Sequence, residues 1–367
     1  MYKKRQKNKV VSLFSGIGGF EEGLKYSKLE AEVIFSSEID KYAQKSYLAN
    51  YPNHNLHGDI TIIDADMIPG HDILVAGFPC QSFSIAGKRD GFDDTRGTLF
   101  FDITRILREK HPKIILLENV KNLVSHDSSN TIKVILRTLN ELGYTIDFTI
   151  INSSEMGVPQ NRDRTYIIGI KDFLTEKFKE DWRSNKIDKL KKELNKEDFA
   201  RFNFFDTLKS INKKILIKDI LEEKVDKKYF IDNERVRKYL KDIKVKDSEE
   251  EMKIIKILDL PKEVHNDQER QRRVYSINGI SPTVLARSDS TKILINENMQ
   301  LKLRKFTPIE NLRVQGFEED FIENLRNSGV SDTQLYKQSG NAVSPPVIRE
   351  IFNHLDGFLD PQEAIME

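Results

Sequence analysis

Short apolar runs alternate with amphipathic helical patterns over the first 172 residues of the chain. Six runs rich in Val, Ile, Leu and Phe are predicted as strands, at residues 9–14, 31–40, 72–78, 113–120, 145–152 and 164–170. Between them, two segments place apolar residues on one helical face, namely Leu99, Ile103, Ile106 and Leu107 in the first and Ile132, Ile135, Leu136 and Leu139 in the second. Strands that alternate with amphipathic helices predict an α/β domain with a mostly parallel sheet.

The pattern changes after Asp172, where we place a domain boundary. Residues 173–269 are dense in Lys, Asp and Glu and lack the earlier rhythm of glycines and prolines. Within them, the charged stretch 179–199 is predicted as a helix with a solvated surface. Residues 274–289 again contain turn-forming residues and β-branched residues at alternating positions, and two helical segments follow them.

Length and composition narrow the class of protein. The 367 residues suggest about two domains at roughly 150 residues each. The net charge of +1, from 59 basic and 58 acidic residues, neither requires nor excludes nucleic acid, because a neutral protein can carry a basic face. A single cysteine excludes a disulfide framework and a thiolate zinc site within one chain. No run approaches the roughly 18 apolar residues of a membrane span, and no apolar segment follows the basic N-terminus, so we expect a soluble, cytoplasmic protein without a metal site.

A glycine-rich turn and two acids indicate an adenosyl ligand. The stretch SLFSGIGGF puts Gly16, Gly18 and Gly19 directly after the first strand, where glycine lets the backbone approach a ligand closely. Glu38 follows the second strand, in position to accept the hydroxyls of a ribose, and Asp59 follows near the next strand end, in position to accept from an adenine amino group. Either acid alone is better explained as a helix cap or a solvated turn. The two in this order, without a GxxxxGK[ST] or GxGxxG pattern, favour an adenosyl cofactor that lacks phosphates.

The only cysteine lies in AGFPCQSFSIAG, just after the third long apolar run. Cys80 is either a small core residue or a nucleophile. Open α/β sheets bind ligands outside the carboxyl ends of their strands, which predicts the thiol at that edge together with Glu118 of the next strand. Arg162 and Arg164 face one way in an extended segment, and together these groups suit a polar, planar substrate. A cysteine hydrolase would need a histidine base, and none of the seven histidines is in a paired arrangement.

Eight segments in order resemble the motifs of the DNA (cytosine-5)-methyltransferases, in particular the bacterial HhaI type. They are SLFSGIGGF, SSEIDKYAQ, HGDI, GFPCQSFSIAGKRDGFDDTRGTLFFDITRI, ENVKN, PQNRDRTYIIGI, LRKFTPIENLRVQGF and YKQSGNAVSPPVI. The resemblance implies a Rossmann-like, mostly parallel sheet of the S-adenosylmethionine-dependent methyltransferase fold with a second, smaller DNA-recognition domain. It assigns residues 1–172, completed by 325–367, to catalysis and cofactor binding, and 173–324 to a variable target-recognition domain with its hinge.

The same resemblance implies the catalytic roles. Cys80 would add to carbon 6 of a flipped-out cytosine, so that carbon 5 can take the methyl group of S-adenosylmethionine. Glu118 would hydrogen-bond the base at N3 and at its exocyclic amine, Arg164 would contact the base carbonyl, and Arg162 would support the thiol region. The residues implied to contact the cofactor are Phe14, Ile17, Gly19, Glu38, Ile39, Asp59, Ile60, Pro79, Leu99, Asn341 and Val343.

Contacts to DNA are implied for a loop and for the recognition domain. Residues 84–97 correspond to the family's mobile loop, in which Lys88, Arg89 and Arg96 can meet phosphates. Thr283 corresponds to the family threonine beside the flipped nucleotide. Candidates for guanine or phosphate contact are Arg270, Arg272 and Arg273, with plain surface charge as an equal alternative.

The function expected from these features is methylation of carbon 5 of cytosine in a short double-stranded DNA sequence, in a restriction–modification system or as an orphan methylase. The partners expected are double-stranded DNA and, in the first case, a cognate restriction endonuclease; the chain is expected to act as a monomer. Two alternatives stay open, a transfer RNA cytosine methyltransferase and a non-catalytic DNA-binding regulator.

Overall fold

The computed structural model of the chain describes residues 7–79, 99–242, 249–297 and 300–359, and these form two compact units. The first contains the described residues within Met1–Ile151, Asp163–Lys209 and Val347–Glu367, and the second those within Asn152–Arg162 and Ser210–Pro346. The strands are β1 Asn8–Leu13, β2 Ala31–Ser37, β3 Leu56–His57, β4 Ile73–Gly77, β5 Ile114–Val120, β6 Tyr144–Asn152, β7 Gln160–Asn161, β8 Asp163–Lys171, β9 Lys256–Asp259, β10 Arg273–Tyr275, β11 Ser281–Pro282, β12 Lys292–Glu297 and β13 Gln300–Lys305. The helices are α1 Gly19–Lys25, α2 Lys41–Asn50, α3 Leu99–Lys110, α4 Asn130–Glu141, α5 Asn185–Leu194, α6 Glu234–Asp242, α7 Pro308–Gln315, α8 Glu319–Asn327, α9 Asp332–Asn341 and α10 Pro345–Leu359.

The first unit is built on a seven-stranded sheet in the order β3-β2-β1-β4-β5-β8-β6. The first five strands of this order pair in parallel, and β8 runs antiparallel to β5. All six predicted strands are present, and the predicted α/β fold with a mostly parallel sheet is confirmed. Parallel pairing brings the carboxyl ends of β1 to β5 to one edge, which is where ligands bind in such sheets.

Two amphipathic helices supply much of the core of this unit. On α3, Ile103, Ile106 and Leu107 are buried, whereas Leu99 at the start of the helix is only partly buried. All four apolar positions predicted for α4 are fully buried. They join the strand residues Val11, Leu74 and Ile115 in one hydrophobic cluster, and each such side chain contributes about 1.5–3 kcal/mol of transfer free energy.

Residues 173–209 belong to the first unit, not to a second domain that begins at 173. Residues 200–202 extend along β6, with the Ile146 amide 3.1 Å from the Ala200 carbonyl oxygen, so they cover a sheet edge that would otherwise be open to pairing. The helix predicted to be solvated is α5, and it has a buried face made of Ile187, Leu190 and Leu194. The spacing i, i+3, i+7 of these three residues is obscured in the sequence by the seven polar or charged residues of the same helix.

Lys191 of the same helix is also buried, at 3% exposure. Its ammonium lies 2.8 Å from Asp147 Oδ1 on β6 and 3.3 Å from Asp181 Oδ2. Asp147 also accepts hydrogen bonds from the amides of Phe204 and Phe205. The charge of this segment is therefore partly internal and holds it to the sheet.

The second unit contains a four-stranded sheet in the order β13-β12-β10-β9 and a parallel pair of short strands, β7 and β11. Arg304 of β13 makes a two-pronged ion pair with Glu310 of α7, with both residues buried and N–O distances of 2.7 and 2.8 Å. Residues up to 346 belong to this unit, so its boundary also differs from the expected one at 324/325. Among the described helices of both units, none has the length and apolar character needed to cross a membrane.

Candidate active site

The glycine turn after β1 has a backbone that only glycine accommodates at one position. Gly18 has φ +100°, in the left-handed region, and it caps the N-terminus of α1. A Cβ atom added there would lie 2.5 Å from Cε2 of Tyr51. Gly16 also has a positive φ of +57°, but the space around it is open. The turn is therefore fixed by its backbone and by the Tyr51 ring packed against it.

Glu38, directly after β2, is hydrogen-bonded to this turn. Its Oε2 accepts from the Gly16 amide and its Oε1 from the Asp40 amide, both at 2.8 Å. Asp40 in turn caps α2 through the amides of Tyr42 and Ala43. Because a carboxylate offers about four acceptor positions, Glu38 retains capacity for further donors. The structure thus brings together the glycine turn and the acid that the sequence assigned to one ligand.

The other residues predicted to contact the cofactor in the first unit differ in exposure. Asp59 follows β3, and its Oδ1 caps a short helical turn by accepting from the amide and hydroxyl of Thr61, at 2.9 and 2.8 Å. Ile39 is 66% exposed, whereas Ile17 and Ile60 are buried. Phe14 and Leu99 are partly buried, Gly19 is buried at the start of α1, and Pro79 is exposed. Ile39 therefore presents an exposed apolar side chain, while Ile17 and Ile60 belong to the core, and the cofactor contacts predicted for all of them stay predictions.

Glu118 and Arg164 form an ion pair between two neighbouring strands. Glu118, on β5, is 8% exposed, and its Oε1 lies 3.1 Å from Nε of Arg164 on β8. Arg164 also donates to the carbonyl of Asp163 through Nη1. The ion pair places a carboxylate and a guanidinium side by side, so hydrogen-bond acceptors and donors are adjacent at this point of the sheet.

Asn119, next to Glu118, is a buried polar residue that sequence reasoning did not single out. Its Nδ2 donates to the carbonyl oxygen of Phe78 at 2.9 Å. This bond joins the segment after β4 to β5, beside Glu118. The one feature of the sequence that could have drawn attention to Asn119 is its position directly after Glu118. Cys80, Lys88, Arg89 and Arg96 lie outside the described residues, and the roles predicted for them stay predictions.

Arg162 is anchored on backbone carbonyls of its own unit. It belongs to the second unit and is 1% exposed. Its Nη2 donates to the carbonyl oxygens of Gly340 and Ala342, both at 2.9 Å, and its Nη1 donates to that of Val284 at 3.4 Å. We expected Arg162 and Arg164 to offer paired guanidinium groups to one substrate. In the described residues Arg162 donates to backbone carbonyls and Arg164 pairs with Glu118, and the roles predicted for the two arginines toward the thiol region and the base stay predictions.

Thr283, Asn341 and Val343 also lie in the second unit. The Thr283 hydroxyl donates to the carbonyl of Asn161 at 2.7 Å, which ties its loop to β7. Asn341 ends α9 and is exposed, and Val343 is buried.

A polar surface pocket of the second unit includes two of the three candidate arginines. Arg270 and Arg273 line it together with Tyr275, Thr283 and Lys292. Arg272 instead donates to the Leu260 carbonyl through Nη1, at 2.7 Å.

Comparison with known proteins identifies the family. A family model described as C-5 cytosine-specific DNA methylase matches residues 8–356. The chain belongs to this family. It is 40% identical to the type II methyltransferase M.SsoII of Shigella sonnei, over 96% of this chain and 81% of that protein. It is 39% identical to the type II methyltransferase M1.ScrFI of Lactococcus lactis subsp. cremoris, over 95% of this chain and 78% of that protein.

Solved structures support the same conclusion for the fold. A DNMT2 variant of Spodoptera frugiperda matches with a TM-score of 0.67 and 22% identity, over 95% of this chain and all of that one. The predicted family, fold class and enzyme class are confirmed: this C-5 cytosine methylase is a DNA (cytosine-5-)-methyltransferase. The cysteine hydrolase and the non-catalytic regulator are thereby disfavoured.

Proposed function

We propose that this methylase transfers a methyl group from S-adenosylmethionine to carbon 5 of a flipped-out cytosine in a short, specific double-stranded DNA sequence. The reaction passes through a covalent bond between Cys80 Sγ and carbon 6 of the base. The observation that carries the proposal is the Glu118–Arg164 pair, which offers fixed donors and acceptors to a polar ring next to the strand that leads to Cys80.

The surroundings of Glu38 fit an adenosyl ligand. The Gly16 amide and the Glu38 carboxylate are already bonded, so the site needs little reorganisation when it accepts a ribose. Glu38 keeps acceptor positions for hydroxyl groups, and the exposed Ile39 offers an apolar surface to an adenine ring. Asp59 is the acceptor proposed for the adenine amino group. Asn341 and Val343 are assigned to the same ligand by the resemblance of their motif alone.

The residues of this chain make carbon 5 nucleophilic. The Cys80 thiolate donates an electron pair to carbon 6, and the ring electrons shift toward carbon 5 and N3. Glu118 gives a proton to N3, where negative charge develops, accepts a hydrogen bond from the exocyclic amine, and takes the proton back when the ring is restored, while Arg164 holds its carboxyl group and contacts the base carbonyl. S-adenosylmethionine, when bound, supplies the methyl group, whose bond to sulfur breaks as its bond to carbon 5 forms. Loss of the carbon 5 proton to solvent and departure of the Cys80 thiolate restore the aromatic ring.

A covalent trap tests the nucleophile directly. A cytosine with fluorine at carbon 5 cannot lose that substituent as a cation, so the bond between Cys80 and carbon 6 persists after methyl transfer. We expect wild-type protein, S-adenosylmethionine and a fluorocytosine duplex to give a complex that survives denaturation and contains the Cys80 peptide by mass spectrometry. Cys80→Ser at the same concentrations is the matched control and should give none. A complex that forms equally with Cys80→Ser, or attaches at another residue, would contradict the proposed mechanism.

The second unit is proposed to read the DNA, through the pocket that Arg270 and Arg273 line with Thr283. Arginine forks recognise guanine edges and phosphates in two-pronged geometry. The double variant Arg270→Ala, Arg273→Ala should bind cognate duplex more weakly. Its affinity should also depend less steeply on salt, by an amount that corresponds to the loss of about two phosphate contacts at most. Arg237→Ala, which removes an exposed arginine paired with Asp232, is the control and should leave the salt slope unchanged. An unchanged slope in the double variant would assign DNA reading elsewhere.

Partners follow from the proposed reaction. The relatives in Shigella and Lactococcus are described as type II methyltransferases, and we extend to this chain a role in protecting DNA from an endonuclease that cuts the same sequence. We propose that the chain acts on DNA as a monomer, which light scattering of the complex with one duplex tests. A two-to-one complex would contradict it.

A further inference from the structure

A buried polar cluster joins α1 to α2 behind the glycine turn. It consists of Glu21 and Glu22 in the first turn of α1, Tyr47 on α2, and Tyr51 and His54 in the loop after α2. Glu21, Glu22 and Tyr47 are 3% exposed or less. The reaction proposed above uses none of these five side chains, and buried acids require a specific compensation.

The Tyr47 hydroxyl is the centre of this cluster. It lies 2.7 Å from Ser36 Oγ on β2, 2.8 Å from His54 Nδ1 and 3.2 Å from Glu21 Oε1, to which it donates. A hydroxyl has one proton and two acceptor positions, so donation to Glu21 leaves it to accept from Ser36 and His54. One hydroxyl thus fixes α1, α2 and the end of β2 relative to one another.

The cluster is connected to the turn that is proposed to bind the methyl donor. The Tyr51 hydroxyl donates to Glu22 Oε2 at 2.8 Å, and the Tyr51 ring occupies the space where a Gly18 side chain would lie. Gly18 is the N-cap of α1, so the residues that hold Glu21 and Glu22 also hold the glycine turn. Glu38 reaches that turn from the other side, through the Gly16 amide.

We propose that Glu21, through its hydrogen bond to Tyr47, is a positioning residue that keeps the glycine turn in the conformation that receives the methyl donor. This inference rests on the proposed function, because it takes the donor to bind at that turn.

The charge of Glu21 determines how firmly it holds the glycine turn. The pKa of Glu21 is raised to about 7, mainly by burial and in smaller part by the nearby Glu22 carboxylate, against the opposite effect of hydrogen bonds with Ser12 and Tyr47. The other titratable groups facing the cluster are Tyr51, His54 and, on α1, Lys25, whose ammonium is 3.8 Å from Glu22 Oε2. Burial lowers the pKa of His54 and raises the pKa of both tyrosines, so all three are neutral near pH 7.

The direction of the pH effect follows from these charges. Below about pH 7 Glu21 is neutral and stays in the cluster. Above about pH 7, Glu21 becomes a buried carboxylate beside Glu22, and the two negative charges repel each other. The first turn of α1 loosens because this relieves the repulsion. Protonated Glu21 stabilises the folded state fully below about pH 4.5, and this stabilisation is lost as the pH rises through about 7. Donor affinity should therefore fall on the alkaline side.

Calorimetric binding of S-adenosylhomocysteine to the full chain between pH 6 and 8.5 tests this inference. The amino group of the ligand also titrates, but it does so equally for every variant, so the ratio of affinities isolates Glu21. We expect the ratio of Glu21→Gln to wild-type affinity to rise about tenfold over this range, which corresponds to a change of about one unit in the pKa of Glu21 on binding. Glu22→Gln is the matched control, and it should keep the pH dependence with its midpoint displaced to lower pH.

The outcomes separate the two proposals. A ratio that is constant with pH, in variants with wild-type circular dichroism, would overturn the positioning role and leave the proposed donor intact. Failure of wild-type protein to bind S-adenosylhomocysteine at any pH would contradict the proposed function and this inference with it.

Discussion

Glu118 and Arg164 lie on adjacent antiparallel strands and are joined by an ion pair of 3.1 Å between Oε1 and Nε. The pair is largely shielded from water, with side-chain exposures of 11% and 15%, so it orders both groups more than a surface pair would. Both residues were candidate catalytic groups from sequence, and their contact makes each dependent on the other. Changes at either position should therefore affect the chemical step more than folding.

Glu118→Gln should lower kcat for DNA methylation by about 10²–10³-fold, because an amide cannot give a proton to N3 as negative charge develops there. The KM for DNA should change much less, since the binding surface is intact. Single-turnover methyl transfer with tritiated donor measures this. Lys121→Ala, which breaks the exposed pair with Asp163, is the control and should keep wild-type kcat. A Glu118→Gln enzyme with near wild-type kcat would remove this carboxylate from the mechanism.

Gly18→Ala should abolish tight donor binding and destabilise the fold by about 1–3 kcal/mol. The added methyl group would meet the Tyr51 ring and would occupy a φ of +100° that disfavours side chains. Urea unfolding and equilibrium binding of the donor measure the two effects. Gly58→Ala, where a Cβ has open space, serves as the control. If Gly18→Ala binds the donor normally, the turn does not form the donor site.

Arg162→Ala should lower the free energy of unfolding by about 2–5 kcal/mol, because it removes a buried guanidinium that donates to the carbonyls of Val284, Gly340 and Ala342. Activity should be lost in proportion to the folded fraction. Denaturation and methyl transfer, measured on the same preparations, separate the two effects. A stable Arg162→Ala protein with kcat reduced by orders of magnitude would show that Arg162 acts on the substrate.

Lys191→Met should destabilise the first unit by about 3–5 kcal/mol. It leaves Asp147 and Asp181 buried without their counter-charge, and this loss exceeds the gain from an apolar side chain. Lys192→Met on the exposed face of α5 breaks only a surface pair with Asp188 and should change stability by less than about 1 kcal/mol. Equal stabilities for the two variants would mean that α5 does not depend on this buried charge.

Local patterns predicted most of the first unit. Strand runs and the apolar faces of α3 and α4 arise from residues close in sequence, and a parallel sheet then places Glu38 and Glu118 at its carboxyl edge. The segment 173–209 was harder, because its buried face holds few apolar residues and its charge is partly neutralised inside. In such a segment, composition indicates solvation even where the fold provides partners for the charges.

In the candidate site, too, some contacts follow from local sequence patterns and others depend on residues far apart in the chain. The Gly16–Glu38 bond joins residues 22 positions apart at the ends of two adjacent strands, and the pattern had assigned both residues to one ligand site. Arg162 reaches carbonyls more than 120 positions away, and no local rule indicates which acceptors it will find. Glu21 looked like an ordinary acid in the first turn of a helix, and only the packing of Tyr47 against it makes it distinctive.

Methylation sequencing of DNA and RNA from cells that express the wild-type chain or Cys80→Ala tests the central claim most directly. We predict 5-methylcytosine in one short DNA sequence context with the wild-type chain, and none above background with Cys80→Ala. Modified cytosine confined to transfer RNA would contradict DNA as the substrate. The same DNA pattern with Cys80→Ala would contradict the covalent mechanism.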